Sequence, residues 1–497
     1  MPSAIKPSAN CLRSFSQLSQ FSQLSQLSQP RHVAAHSTAA SRLVQPRVAC
    51  FSTSAARSAN PQMKKKNMTA APKKGVKSLN TKKGKSAPSG DGGKRPALGE
   101  RKAQRKRIVL SNDNALEVSS LKDLDKTNVL SAQHEGRVMG LPAPVVDALR
   151  HVEAFKTTQG WRFFRRPAVL MRHEAIQLAQ LFKEAEDAAA AKDKKTIRRI
   201  LTGQRMSGKS TLLLQGLSMA FLRQWFVISL PECQDIVNAH TDYAPLEGSE
   251  PTQYTQDTYT AALLSQTLKA NQSYFEQAKT TQKHDLSVSL PVGAKLKDLV
   301  AVGVANPEAS WPVFTALWAE LSQPGQPQVL LAAEGLSHIM QNSEYMNADV
   351  QPIHAHDLTI VRHFVDHLSG AKQLPNGGLV LAATSKSNAP TSPALDFRIK
   401  AAEALQNQES IPQWNPYTSV DARTMEALKD LADPKADLDI LRVGGLSKEE
   451  ARSIMEYYAE SGMLRHQVND GFVTEKWSLA GMGNIGELER ASVRARI

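Results

Sequence analysis

The feature that most constrains this chain is the octapeptide Gly203-Gln-Arg-Met-Ser-Gly-Lys-Ser210, which spells G-x-x-x-x-G-K-[ST]. A short apolar run, Ile200-Leu201, leads into it. Leu212, Leu213, Leu217 and Phe221 recur at helical spacing behind it. Strand, glycine-rich turn and helix in that order make a phosphate loop. The glycines let the backbone curl until successive N–H groups face one β-phosphate, and the helix adds its positive N-terminal end. Lys209 is placed to neutralise the β- and γ-oxygens, and the Ser210 hydroxyl to ligate Mg²⁺. The expected nucleotide contacts are Gly203, Gln204, Arg205, Met206, Ser207, Gly208, Lys209, Ser210 and Thr211.

Such a loop also needs an acid at the end of a neighbouring strand to hold the Mg²⁺ shell. Gln328-Val-Leu-Leu-Ala-Ala-Glu334 reads as a buried strand ending in a carboxylate, so Glu334 joins Ser210 as the expected metal pair. The next residue, where a second acid would activate the attacking water, is Gly335. No catalytic residue is therefore expected, and hydrolysis is slow or absent. Thr384 and Ser385 close another apolar run and are weaker candidates for a hydroxyl near the γ-phosphate. No Asn-Lys-x-Asp motif is present, so the residues themselves leave the base open, with a slight lean to adenine or no preference.

Apolar runs at 198–202, 225–230, 328–333 and 378–384, separated by helical patterns, are the signature of an α/β fold with a parallel sheet. The stretch 254–321 is mostly helical, and so is a lead-in with patterns at 142–155 and 173–190. Residues 401–497 read as helices. One spans 447–461, with Ser447 as N-cap, Glu450 in capping-box position and Gly462 as stop. The chain divides into a leader (1–60), a basic arm (61–109), a helical lead-in (110–195), the nucleotide-binding domain (196–400) and a helical C-terminal domain (401–497).

A formal charge of +14 suggests nucleic acid until it is located. Residues 1–107 hold 22 Lys/Arg against two acids, Asp91 and Glu100, and the remainder holds 39 bases against 45 acids. The body is mildly acidic and the basicity belongs to a tail. Residues 1–60, rich in Ser, Ala, Gln and Arg and free of Asp and Glu, have the composition of a mitochondrial transit peptide. The Lys-rich stretch 64–107 cannot bury apolar surface and suits contact with an RNA backbone. Of three cysteines, Cys11 and Cys50 fall in the leader; Cys233 alone supports neither an intrachain disulfide nor a multi-cysteine metal site. No apolar run reaches the ~18 residues of a membrane span.

Two further clusters invite a functional reading. Gly160-Trp-Arg-Phe-Phe-Arg-Arg-Pro167 interleaves aromatic and basic residues as a base-stacking surface does, although a packed loop with its charges outside fits the pattern better. His363 and His367 are four apart on a predicted helix, with His354, His356, Asp357 and Asp366 near in sequence. That spacing suits a shared metal. Ile360, Phe364 and Leu368 claim the core side, which leaves the histidines on a solvated or partner-facing flank.

Taken in order, the loop, Val227-Ile-Ser-Leu-Pro231, Leu331-Ala-Ala-Glu-Gly335, Asp357-Leu-Thr-Ile-Val-Arg-His-Phe-Val-Asp-His-Leu-Ser-Gly370, Leu379-Val-Leu-Ala-Ala-Thr-Ser385 and the tail Leu479-Ala-Gly-Met-Gly-Asn-Ile-Gly-Glu-Leu-Glu-Arg490 resemble the P-loop protein family of the mitochondrial small ribosomal subunit, the death-associated protein three family. The resemblance covers roughly 120–497. It implies an AAA-like P-loop fold with a helical C-terminal part, and a structural place in the mitoribosome. It also implies bound GTP or GDP, with ATP as the alternative, and Mg²⁺. Small-subunit proteins and rRNA are the implied partners, with no homo-oligomer. Glu334 departs from the aspartate commoner in that family, and the longer carboxylate moves the Mg²⁺ shell outward. The competing reading is an active matrix NTPase working as a switch or remodelling factor.

Overall fold

The computed structural model describes residues 108–286, 290–387, 389–433 and 436–494. The leader 1–60 and all but the end of the basic arm lie outside them. Five strands form one parallel sheet: β1 (Thr196–Gly203), β2 (Phe226–Leu230), β3 (Val329–Glu334), β4 (Gly378–Ala383) and β5 (Leu438–Val443). Their order is β5-β1-β4-β3-β2. β1 to β4 are the four apolar runs of the sequence. β5 corrects the reading of 401–497 as helices: Asp439 and Arg442 break up its apolar pattern, yet Leu438, Ile440, Leu441 and Val443 are buried against β1.

Alternation along each strand builds two cores from one sheet. Ile197 and Leu201 of β1, with Leu330, Leu379 and Leu381, face α1 (Ala143–His151), α2 (His173–Ala190) and α3 (Lys209–Leu222). Ile200, Ile228, Leu331, Val380 and Ile440 face the other way. They meet α4 (Asp257–Ala270), α5 (Leu296–Ala305), α6 (Ser310–Leu321), α7 (Thr359–Ser369) and α8 (Pro393–Gln406). In register, Ala383 of β4 pairs with Leu201 on one side and with Glu334 on the other, so the end of β1 and the acid of β3 emerge at the same edge.

A third core joins the lead-in to the chain's end. Phe163, Phe164 and Leu170 pack with α9 (Lys448–Glu460), α10 (Asp470–Leu479) and α11 (Ile485–Ser492). α9 begins on the expected capping box of Ser447 and Glu450. The aromatic and basic segment is thus a packed loop. Trp161, Phe163 and Phe164 are buried, Phe164 stacks on Tyr458 at 5.4 Å, and Arg165 and Arg166 pair outside with Asp113 and Asp123. Its rings are not presented to bases.

β2 is an edge strand whose backbone is closed by a side chain. Asn271 accepts from the Val227 amide and donates to the Val227 carbonyl, each at 2.9 Å, so one amide imitates a neighbouring strand. Asn271→Ala leaves both buried backbone groups unpaired, and the expected loss is about 2–4 kcal/mol. A thermal melt should fall by about 2–5 °C; an unchanged melt would show that water takes over both groups.

Candidate functional site

The 203–210 loop joins β1 to α3, and both of its glycines are required by geometry. Gly203 has φ +147°, and a Cβ there would lie 2.5 Å from the Val443 carbonyl oxygen. Gly208 has φ +99° and caps α3 in the left-handed region, which a β-carbon disfavours.

Every carbonyl from 203 to 207 is held by a donor. Lys209 Nζ donates to Gly203 O at 3.0 Å and to Gln204 O at 2.7 Å. Asn484 Nδ2 donates to Arg205 O at 2.9 Å, the Gly486 amide to Met206 O at 3.1 Å, and Arg172 Nη1 to Ser207 O at 2.8 Å. Engaging these carbonyls fixes the curl that a phosphate nest requires. The Ser207 hydroxyl is buried inside it with no partner. Lys209 is itself buried, and its pKa is pushed down to about 8, first by burial and then by the nearby Lys386, with Glu334 acting in the opposite sense. A buried ammonium in that state has much to gain from an anion.

The metal pair predicted from the sequence is brought together. Ser210 Oγ donates to Glu334 Oε1, and Gly335, at φ +87°, turns the chain away immediately after the acid. Two oxygen donors side by side are the chemistry of a hard divalent cation. Lys156 lies at the acid's other oxygen, 3.3 Å from Oε2. Gln204 and Arg205 are exposed, while Met206 and Thr211 are half-buried. The two weaker candidates are placed otherwise. Thr384 Oγ1 donates to Leu201 O at 2.9 Å and Ser385 Oγ to Ser387 O at 3.1 Å, so both hydroxyls are spent on backbone.

Two cavities open on the loop. One, of 710 Å³, is lined by Lys156, Ser210, Pro231, Glu232, Glu334 and His338 among others. The second, of 490 Å³, is lined by Gly203, Gln204, Ser207, Lys386, Gly444 and Met482 among others.

Several residues of the site carry no sequence motif. Arg172 is the clearest: buried, it grips Glu174 through Nε and Nη2 at 2.6 and 2.9 Å and also donates to Gly444 O at 2.9 Å. Glu174 accepts from the Gly444 amide at 2.8 Å, which ties α2, the loop and the end of β5 together. Asn484 and Gly486 sit in the tail segment quoted above, yet nothing in their spacing announces a contact with the loop.

The histidine group is not a flank. His363 lies edge-on to Trp318 at 4.4 Å and to Phe314 at 5.1 Å, and His367 is buried beside them. α6 covers the face that the periodicity of α7 left open. Burial drives the His363 pKa well below its ordinary value and holds His356 at about 3. Among the described residues no group of three or more His, Cys, Asp and Glu is placed to hold a metal. No helix there is long and apolar enough to cross a membrane.

Fold and loop together define an α/β protein with a five-stranded parallel sheet and a glycine-rich strand-to-helix loop at its C-terminal edge. Residues 169–491 match the family described as mitochondrial ribosomal death-associated protein 3. The chain belongs to this mitochondrial ribosomal family, as the resemblance in its motifs implied. A small ribosomal subunit protein mS29 of Neurospora crassa is 44% identical over 407 residues, 81% of this chain and 84% of that protein. The protein of the same name from Schizosaccharomyces pombe is 23% identical over 371 residues, 73% of each. A solved HORMA:CdnC:Trip13 complex of E. coli MS115-1 aligns over 72% of this chain and 83% of its own at 14% identity, with a TM-score of 0.24.

Proposed function

We propose that this chain is a structural constituent of the mitochondrial small ribosomal subunit that holds a purine nucleotide in a P-loop, GTP or GDP in preference to ATP. The ribosomal half follows from family membership and from the names of both relatives. The observation that carries the nucleotide half is the loop itself, with all five carbonyls of residues 203–207 tied back. It frames a buried lysine and an unpartnered serine hydroxyl. The strand order β5-β1-β4-β3-β2, with the acid of β3 one strand removed from the loop of β1, supports the AAA-like type of P-loop fold.

Ser210 and Glu334 would hold Mg²⁺, whose chemistry there is to neutralise phosphate oxygens. Glycine in place of a water-activating acid supports a held nucleotide over a turned-over one. Such a nucleotide stabilises the native state by mass action. Its reach is wide, because the loop it fills is gripped by α2, the end of β5 and α11. The basic arm meets rRNA backbone, the acidic body meets neighbouring proteins, and the chain acts as one copy per subunit.

Nucleotide extracted by acid from freshly purified full-length protein and resolved by anion exchange tests the nucleotide half. About one purine nucleotide per chain is expected, since a structural cofactor should be nearly saturated. Protein that is folded and free of nucleotide would overturn it.

A further inference from the structure

We infer that Lys156 is a built-in counter-ion of the phosphate site, standing at Glu334 so that nucleotide binding depends little on a divalent metal. The inference rests on the nucleotide reading above.

Lys156 comes from the lead-in, far from the loop in sequence, and its ammonium is held by two hydrogen bonds and a further ion pair. Nζ donates to Pro231 O at 2.6 Å and lies 3.2 Å from Glu232 Oε1 and 3.3 Å from Glu334 Oε2. Its backbone is fixed as well. The Lys156 amide donates to Gln159 Oε1 at 2.8 Å, and the preceding Phe155 is buried edge-on against Trp161. The side chain is 15% exposed, so this is a placed charge and not a mobile surface lysine.

The consequence is electrostatic. In a metal-dependent P-loop site, the strand-end carboxylate and the phosphates are both negative, and the divalent cation reconciles them. Here Glu334 has one oxygen taken by the Ser210 hydroxyl and the other facing an ammonium. The charge of the acid that would repel an incoming phosphate is offset by the Lys156 ammonium, whose other carboxylate partner, Glu232, is exposed and screened by water. The 710 Å³ cavity that exposes Ser210 and Glu334 is lined by Lys156 too, so its charge is also felt by a ligand there. A divalent ion added beside that ammonium gains less than it would at an unpaired acid, because like charges repel.

The test uses full-length protein stripped of nucleotide, with GDP and ADP titrated calorimetrically in excess MgCl₂ and in EDTA. For the wild-type chain the affinity of the better ligand should differ by less than about threefold between the two media. Lys156→Met should lose at least about tenfold in EDTA and recover in MgCl₂, while Lys156→Arg keeps the wild-type pattern. A wild-type chain that needs metal as strongly as Lys156→Met overturns the inference and leaves the nucleotide reading standing. No heat from either nucleotide in either medium overturns both. If the methionine variant does not fold, Lys156→Gln measured in the same two media decides the matter: the same tenfold loss in EDTA is expected, and a wild-type pattern overturns the inference.

Discussion

Lys209→Ala is expected to release the nucleotide, weakening the affinity of the full-length chain at least about a hundredfold, or ~3 kcal/mol. The ammonium is buried, it closes the loop on the Gly203 and Gln204 carbonyls, and it is the loop's only basic side chain that turns inward. Its removal takes away the phosphate's charge partner and the brace of the curl together. The wild-type affinity should also carry a pH signature. Burial sets the free-state pKa at about 8, and a bound phosphate raises it, so binding favours the protonated form. Affinity is then flat below about pH 7 and falls by up to about tenfold per unit above 8. Equilibrium binding of GDP across that range checks both statements. A variant that binds like the wild type would mean that the phosphates sit elsewhere.

Arg172→Leu is expected to cost about 3–5 kcal/mol of stability, and its melt should fall by roughly 4–6 °C. Arg172 satisfies Glu174, the Ser207 carbonyl and the Gly444 carbonyl at once, and Glu174 is left buried and uncompensated when it goes. The double variant with Glu174→Leu should recover part of the loss, because the unpaired charge goes as well. Arg172→Lys should not rescue it, since a point charge cannot reach acceptors spread around a planar fork. A melt within a degree or two of wild type would show that the loop needs no such tie.

β2, β3 and β4 were legible in the sequence because a strand buried on both faces must be a near-continuous apolar run. β1, which carries Arg198 and Arg199, was legible from Ile200-Leu201 and the glycine-rich loop that follows, whose residue types backbone geometry fixes. β5 was not legible, because Asp439 and Arg442 interrupt its apolar residues and no motif follows it. Lys156 and Arg172 were invisible for a different reason. Lys156 reaches its partners, and Arg172 the Ser207 and Gly444 carbonyls, through tertiary packing across long stretches of chain, and no local spacing encodes that. The histidines of α7 show the limit of helical periodicity. It identified the Ile360, Phe364 and Leu368 face, and it carried no information that Trp318 and Phe314 of α6 would cover His363 as well.

The central claim is that this chain works as a fixed part of the small ribosomal subunit, with nucleotide as a structural cofactor. Sedimentation of tagged full-length protein from a mitochondrial lysate through a sucrose gradient containing Mg²⁺ tests it most directly. Stoichiometric migration with the small subunit, and loss of that migration for Lys209→Ala, is the expected result. Wild-type protein remaining at the top of the gradient, clear of the small-subunit peak, would contradict the claim and leave a free matrix NTPase to be assayed.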